Sequence, residues 1–125
     1  MTMIERAALA VEKHASGYNC CQSVVLVLAD LTDLSEEQLL RAASGFAAGM
    51  GNMEGSCGAV VGAVLIAGLL GAGRSARRIN EAFIRKAGAL TCKTLKGRET
   101  GVPLLSCADC VKTAVFAFGE ALEME

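Results

Sequence analysis

Six cysteines are the residues of this chain best suited to chemistry. They are Cys20, Cys21, Cys57, Cys92, Cys107 and Cys110. The number is high for a reduced compartment, yet it lies below the density typical of small disulfide scaffolds. In a cytoplasmic protein, cysteines in this number indicate redox or metal chemistry.

Three of the cysteines follow residues that commonly cap helices. The pairs are Asn19-Cys20, Ser56-Cys57 and Ser106-Cys107. A capping residue places its neighbour at the first helical position, where free amides and the positive end of the helix dipole stabilise a thiolate. The thiolate is the form of cysteine that attacks disulfides and binds metals. The spacing therefore predicts three reactive thiols at helix starts.

Cys107 and Cys110 also form a CxxC motif. Cysteines one helical turn apart can close a disulfide with modest strain, as dithiol oxidoreductases do. The chain has no second CxxC, so the pattern of a four-cysteine zinc ribbon is not met. The residue after Cys110 is Val111, so the CxxCH pattern of covalent haem attachment is not met either.

The apolar pattern predicts helices that would position these cysteines. A first amphipathic helix ends near Gly17, and a second begins at Cys20. Ser35 and Gln38 form a capping box that opens a third helix, and the last helix begins at Cys107. The inner face of the first helix is predicted to carry Ile4, Ala8, Val11 and Ala15.

Residues 55–73 form the longest uncharged run in the chain. As a helix this run would be apolar on every face, which requires burial inside a protein or inside a bilayer. Its six glycines, the lack of Trp or Tyr at its ends and the amphipathic neighbouring helices argue against a membrane span. We therefore expect a central helix with Ser56 as its cap and Cys57 at its first position.

A glycine-rich segment precedes this central helix. Repeated glycines make a regular helix improbable and allow close approach of the backbone. We expect a loop that shapes the site and could line a cofactor pocket. Its predicted cofactor-binding residues are Gly49, Gly51, Gly55 and Gly58.

A fifth helix is predicted to begin at Ser75 and to end before Gly97. Cys92 would lie in its last turns. Lys93 and Lys96 stand beside this cysteine, and their positive charges are expected to lower its pKa.

Composition indicates one all-α domain over residues 1–125. Helix formers dominate the apolar residues and there is one proline, which predicts a compact bundle of about six helices around a central apolar helix rich in Gly and Ala. A net charge of −1 and the absence of Trp argue against nucleic-acid binding. The charged N-terminus lacks the apolar core of a signal peptide, so a cytoplasmic protein is expected.

Four stretches of the chain resemble one known family. They are GYNCCQSV at 17–24, SGFAAGMGNMEGSCGAVVGAVLIAG at 44–68, CKTL at 92–95 and CADCVKTAV at 107–115. Together they resemble the C-GCAxxG-C-C family of proteins described as redox-active. The glycine-rich stretch is the most specific of the four, although this chain reads Ser56-Cys57-Gly58-Ala59 where the family name has GCA.

This resemblance implies which cysteines matter. The four cysteines of the family correspond to Cys20, Cys57, Cys92 and Cys107, whereas Cys21 and Cys110 are additional. Similar domains occur fused to electron-transfer cytochromes. The resemblance implies redox chemistry without naming a substrate.

The leading hypothesis is a redox protein whose cysteines converge at one end of the bundle. The candidate catalytic thiols are Cys20, Cys57, Cys92, Cys107 and Cys110. They would act as dithiol pairs, or the first four would bind a metal, with an iron–sulfur cluster favoured over zinc. The expected partners are a redox protein or a small thiol or disulfide, and a homodimer is a further expectation.

Two alternatives stay open. In the first, the chain is a helical binding or assembly module whose cysteines only pack in the core. In the second, it is an enzyme with Cys57 as its nucleophile, although the sequence places no general base beside that residue.

Overall fold

A computed structural model describes all residues, 1–125, and contains seven α-helices and no β-strand. The helices are α1 (Met3–Ala15), α2 (Cys20–Leu28), α3 (Glu36–Ala43), α4 (Gly58–Leu69), α5 (Ala76–Ala87), α6 (Cys92–Leu95) and α7 (Cys107–Ala121). Short 3-10 helices lie at Ala29–Leu31 and Gly73–Ser75, and a π-helical turn lies at Gly49–Met53. The prediction of an all-α fold is confirmed.

The helices α4 and α7 share the centre of the bundle. Helix α7 packs against α1, α2, α4 and α5, and α4 packs against α2, α5 and α7. Phe83, Phe118 and Ile66 are fully buried among them. The uncharged segment 55–73 is exposed near the C-terminal end of α4, where Leu69 is 44% exposed. None of the helices combines the length and apolarity needed to cross a membrane.

Three predicted helix caps are present. Asn19 accepts a hydrogen bond from the amide of Gln22, and Ser35 and Ser106 accept equivalent bonds at α3 and α7. Each bond satisfies an amide that has no partner within its own helix. The starts of α2, α3 and α7 therefore follow from local sequence.

The predicted start of the central helix is wrong by one residue. Cys57 is itself the N-cap, and α4 begins at Gly58. Ser56 pairs with Thr91 in an isolated antiparallel bridge, and the Cys57 amide donates to the carbonyl of Leu90 at 2.8 Å. The chain stays extended through Cys57 because this contact with a distant segment uses its amide.

The prediction that Cys92 lies at the end of the fifth helix is also wrong. Gly88 adopts a left-handed conformation at φ +93° and ends α5 after Ala87. Glycine takes this conformation without the clash that a Cβ would cause. Thr91 then bridges to Ser56, and Cys92 begins the separate single turn α6.

The inner face of α1 differs from the predicted one. Ile4 is 71% exposed. The buried residues are Met3, Arg6, Ala7 and Ala10. The guanidinium of Arg6 donates to the Val27 carbonyl and to both carboxylate oxygens of Asp30, at 3.0 Å for the Nη2–Oδ2 pair. Helix α1 is rotated relative to the predicted face because the hydrogen-bond partners of the buried Arg6 guanidinium lie on α2 and just beyond it.

Candidate functional site

A cavity of about 510 Å³ lies where α2, α4, α6 and α7 begin. Five cysteines line it, namely Cys20, Cys57, Cys92, Cys107 and Cys110. Cys20, Cys92 and Cys107 are the first residues of their helices. The fold thus brings together five thiols from four separate segments, and these are the five candidate thiols named from the sequence.

Cys21 lies outside the cavity although it follows Cys20 directly. It is fully buried, and its carbonyl and sulfur face Gly62 of α4. A Cβ built on Gly62 would lie 2.9 Å from the Cys21 carbonyl oxygen and 3.4 Å from its sulfur. Successive residues of a helix point in directions about 100° apart, so adjacent cysteines face different neighbours.

Gly58 is the predicted cofactor-binding glycine that lines the cavity. A Cβ built on it would lie 2.6 Å from the sulfur of Cys20, so a side chain here would displace that thiol. A Cβ built on Gly49 would lie 2.8 Å from the Cβ of Cys92, and one built on Gly55 would lie 2.9 Å from the Gly49 carbonyl oxygen. Gly51 faces open space. A cofactor-binding role for these glycines stays a prediction.

The loop before α4 holds three non-glycine residues in left-handed conformations. They are Ala48, Met50 and Met53, with φ of 53°, 67° and 64°. Each such conformation costs on the order of 1–3 kcal/mol and persists only where surrounding contacts impose it. The Gly55 amide donates to the Gly49 carbonyl at 2.9 Å, and the Cys92 amide donates to the Gly55 carbonyl at 3.0 Å.

These contacts place loop residues against the thiols. Ala48 and Met53 line the cavity. Burial raises the pKa of Cys20, and hydrogen bonding to the Ala48 backbone opposes this rise only in part. Lys93 of α6 binds the carboxylate of Glu54 through both oxygens at 3.0 Å and ties the end of the loop to the helix that carries Cys92. Backbone strain of this kind is concentrated at functional sites.

Cys57 and Cys110 both line the cavity, and hydrogen bonding between their thiols shifts both of their pKa values. This bond lowers the pKa of Cys110, an effect that outweighs burial and is supported by the charge of Lys96. The same bond, together with burial, raises the pKa of Cys57 well above its ordinary value. Within this pair, Cys110 is therefore the thiol that ionises more readily.

Lys96 faces the sulfurs of the cavity. Its ammonium group donates a hydrogen bond to the sulfur of Cys107. Burial lowers the pKa of Lys96, but this hydrogen bond and the nearby sulfurs of Cys107, Cys110 and Cys92 outweigh burial, and the net shift is upward. The lysine therefore stays charged among three thiols. The sequence analysis considered Lys96 only as a neighbour of Cys92 and missed its contact with α7.

The expected lowering of the Cys92 pKa is wrong. Burial raises it first, the nearby Cys57 adds to this, and Lys96 only partly compensates. Burial likewise raises the pKa of Cys20 to about 11, although Cys20 begins a capped helix. The transfer of a thiolate out of water outweighs the helix dipole at both positions, because each residue is at least nine-tenths buried.

The chain contains no group of three or more His, Cys, Asp or Glu side chains arranged to hold a metal ion. Zinc and iron–sulfur clusters in cysteine sites take several thiolates at short range. The predicted set of Cys20, Cys57, Cys92 and Cys107 shares the cavity but does not form such a ligand set in this conformation. Metal binding by these four residues stays a prediction.

Comparison with known proteins identifies the family. No curated protein and no solved structure shows significant similarity to this chain. Residues 18–121 match the family described as "Putative redox-active protein (C_GCAxxG_C_C)". The match includes all six cysteines and every helix except α1. Because the match covers most of the 125 residues, the chain belongs to this C_GCAxxG_C_C family.

Proposed function

We propose that this protein is a thiol–disulfide redox carrier whose reversible disulfide forms between Cys57 and Cys110. The observation that carries the proposal is that Cys57 and Cys110 line one cavity, at the starts of α4 and α7, where hydrogen bonding between their thiols shifts their pKa values in opposite directions. Two neighbouring thiols, one of which ionises more readily than the other, can act as a dithiol that closes into a disulfide.

Cys107 is the proposed entry thiol. It is half-buried, whereas the other five cysteines are buried. Lys96 donates a hydrogen bond to its sulfur, and Cys110 lies one helical turn further along α7. Cys107 is therefore the thiol that an oxidised partner meets first.

The reaction transfers two electrons. The sulfur of Cys107 attacks a substrate disulfide and forms a mixed disulfide, and the first substrate thiolate leaves. Cys110 then attacks the Cys107 sulfur, which expels the second substrate thiol and closes a Cys107–Cys110 disulfide. Cys57 loses its proton and attacks the Cys110 sulfur, which forms the Cys57–Cys110 bond and expels Cys107 as a thiolate. The substrate disulfide is thereby reduced to two thiols, and the protein dithiol is oxidised to Cys57–Cys110.

The proposal is tested by equilibrating the reduced protein with glutathione redox buffers. The free thiols are then trapped by alkylation, and disulfide-linked peptides are identified by mass spectrometry. We expect the loss of two thiols and a Cys57–Cys110 linked peptide. Cys57→Ser and Cys110→Ser should abolish this peptide, and Cys107→Ser should slow its formation without abolishing it. Cys21→Ser is the matched control and should oxidise as the unchanged protein does.

Two results would contradict the proposal. Six thiols that react independently and never pair would favour the alternative of a helical binding module with structural cysteines. Stoichiometric iron or zinc in protein purified without oxygen, lost on substitution of the cavity cysteines, would favour metal ligation instead. Metal analysis and the visible spectrum therefore accompany the thiol titration.

A further inference from the structure

The cavity contains two cationic side chains and no carboxylate. Lys96 and Arg98 line it, and no Asp or Glu does. Neither cation forms an ion pair with a carboxylate elsewhere in the chain, whereas the neighbouring Lys93 binds Glu54 and Glu99. The side chain of Arg98 also makes no hydrogen bond, and the residue is exposed. An unpaired guanidinium at the mouth of a cavity is suited to an anion from outside.

The backbone holds Arg98 in this place. Gly97 adopts φ +72°, and the amide of Arg98 donates to the Lys93 carbonyl at 2.9 Å, which ends α6. A Cβ built on Gly97 would lie 2.5 Å from the backbone nitrogen of Pro103. The turn that carries Arg98 is therefore packed against the following segment, which keeps the arginine beside the cavity.

The size of the cavity favours a small molecule over a protein disulfide. Its volume of about 510 Å³ falls within the range of small-molecule pockets, roughly 300–1,000 Å³. Cys57 and Cys92 are each 6% exposed, and Cys110 is 1% exposed. The proposed exchange begins at half-buried Cys107 and then passes to these deeper sulfurs inside the cavity, which a small disulfide is of a size to enter.

We infer that the oxidising substrate of this site is a small disulfide that carries carboxylates. This inference rests on the proposed thiol–disulfide function. Arg98 binds a carboxylate at the mouth, and Lys96 attracts the substrate toward Cys107. The chemical step is the exchange described above: the substrate disulfide bond breaks, two carboxylate-bearing thiols leave, and the Cys57–Cys110 bond forms.

Three small disulfides that differ in charge test the inference. They are 3,3′-dithiodipropionate, a dianion, 2-hydroxyethyl disulfide, which is neutral, and cystamine, a dication. The rate at which each forms the Cys57–Cys110 disulfide is measured by alkylation and peptide mapping. Each rate is divided by that of the same disulfide with dithiothreitol, which removes the difference in intrinsic reactivity.

We expect the normalised rate of the dianion to exceed that of the neutral disulfide by about tenfold at low salt, with the dication slowest. The preference should shrink in high salt because ions screen the attraction. Arg98→Gln should lose most of the preference. Arg74→Gln is the control, because it changes the net charge by the same amount. Arg74 follows the C-terminal end of α4, whereas the cavity lies at its N-terminal end, and the 12 residues of this helix separate the two ends by about 18 Å.

The outcomes separate this inference from the proposed function. Equal normalised rates for the three disulfides, or equal effects of Arg98→Gln and Arg74→Gln, would overturn the anionic substrate and leave the Cys57–Cys110 disulfide in place. If none of the three forms that disulfide and dithiol chemistry also fails in glutathione buffers, the proposed function fails as well. A protein that is oxidised only by a disulfide-bonded protein would overturn the small-molecule substrate.

Discussion

The close approach of α2 and α4 offers a prediction whose size follows from the structure. Gly62 lies in the middle of α4, and a Cβ built on it would lie 2.9 Å from the Cys21 carbonyl oxygen and 3.3 Å from the Val24 Cβ. Gly68, six residues further along the same helix, has nothing within 4 Å of the equivalent position. The two glycines are thus a matched pair for the substitution Gly→Ala.

The two substitutions should change stability in opposite directions. Alanine favours a helix interior over glycine by about 0.5–1 kcal/mol, which is the whole effect expected at Gly68. At Gly62 the same gain is opposed by a clash with α2 backbone, which cannot move aside as a side-chain end does, and overpacking costs about 1–3 kcal/mol. Because the gain in helix propensity is common to both variants, their free energies of unfolding should differ by roughly the cost of the clash alone.

Urea unfolding under reducing conditions measures this difference. With an m value of about 1.5–2 kcal/mol per M, Gly62→Ala should unfold at a urea concentration roughly 0.5–2 M below that of Gly68→Ala. Displacement of α2 should also speed the alkylation of Cys20, which begins that helix. Equal midpoints for the two variants would refute the reasoning, because they would show that α2 and α4 do not meet at Gly62.

Two further predictions concern charges. Lys96→Gln should raise the pKa of Cys110, because the charge of Lys96 helps to lower it. The midpoint of the pH dependence of Cys110 alkylation should therefore move to a higher pH than in the unchanged protein. An unchanged pH profile would contradict this. Asp30→Asn should lower stability by about 1–3 kcal/mol at neutral pH, because buried Arg6 loses its anionic partner. Hydrogen bonding to Arg6 lowers the pKa of Asp30, so this stabilisation is present above the unfolded pKa of about 4 and is lost as pH falls through the lower folded pKa. Asp33→Asn, at an exposed position, is the control and should keep the loss of stability at low pH that Asp30→Asn removes. Equal dependence of stability on pH in the two variants would refute the role of the Arg6–Asp30 pair.

The strained loop and the neighbours of each cysteine could not be predicted from the sequence. Left-handed conformations at Ala48, Met50 and Met53 oppose local preference, since none of these residues favours positive φ. They follow from contacts with α6, which lies about forty residues away in the sequence. Cys110 seemed additional beside the four family cysteines, but the packing of α7 against α4 places it in the same cavity as Cys57.

Local sequence alone determined the helical fold and most helix starts. The caps at Asn19, Ser35 and Ser106 were predictable because a cap joins residues only three positions apart. The presence of thiols at helix starts followed from the same short-range pattern.

Tertiary structure decided which sulfurs meet and which of them favours the thiolate. Burial overrides the helix dipole at Cys20, whereas a hydrogen bond from Cys57 overrides burial at Cys110. Both effects depend on neighbours that are distant in the chain, and the strength of an electrostatic interaction depends on how much water the packing excludes. The sequence by itself therefore named the cysteines, and only the packed helices assigned them different chemistry.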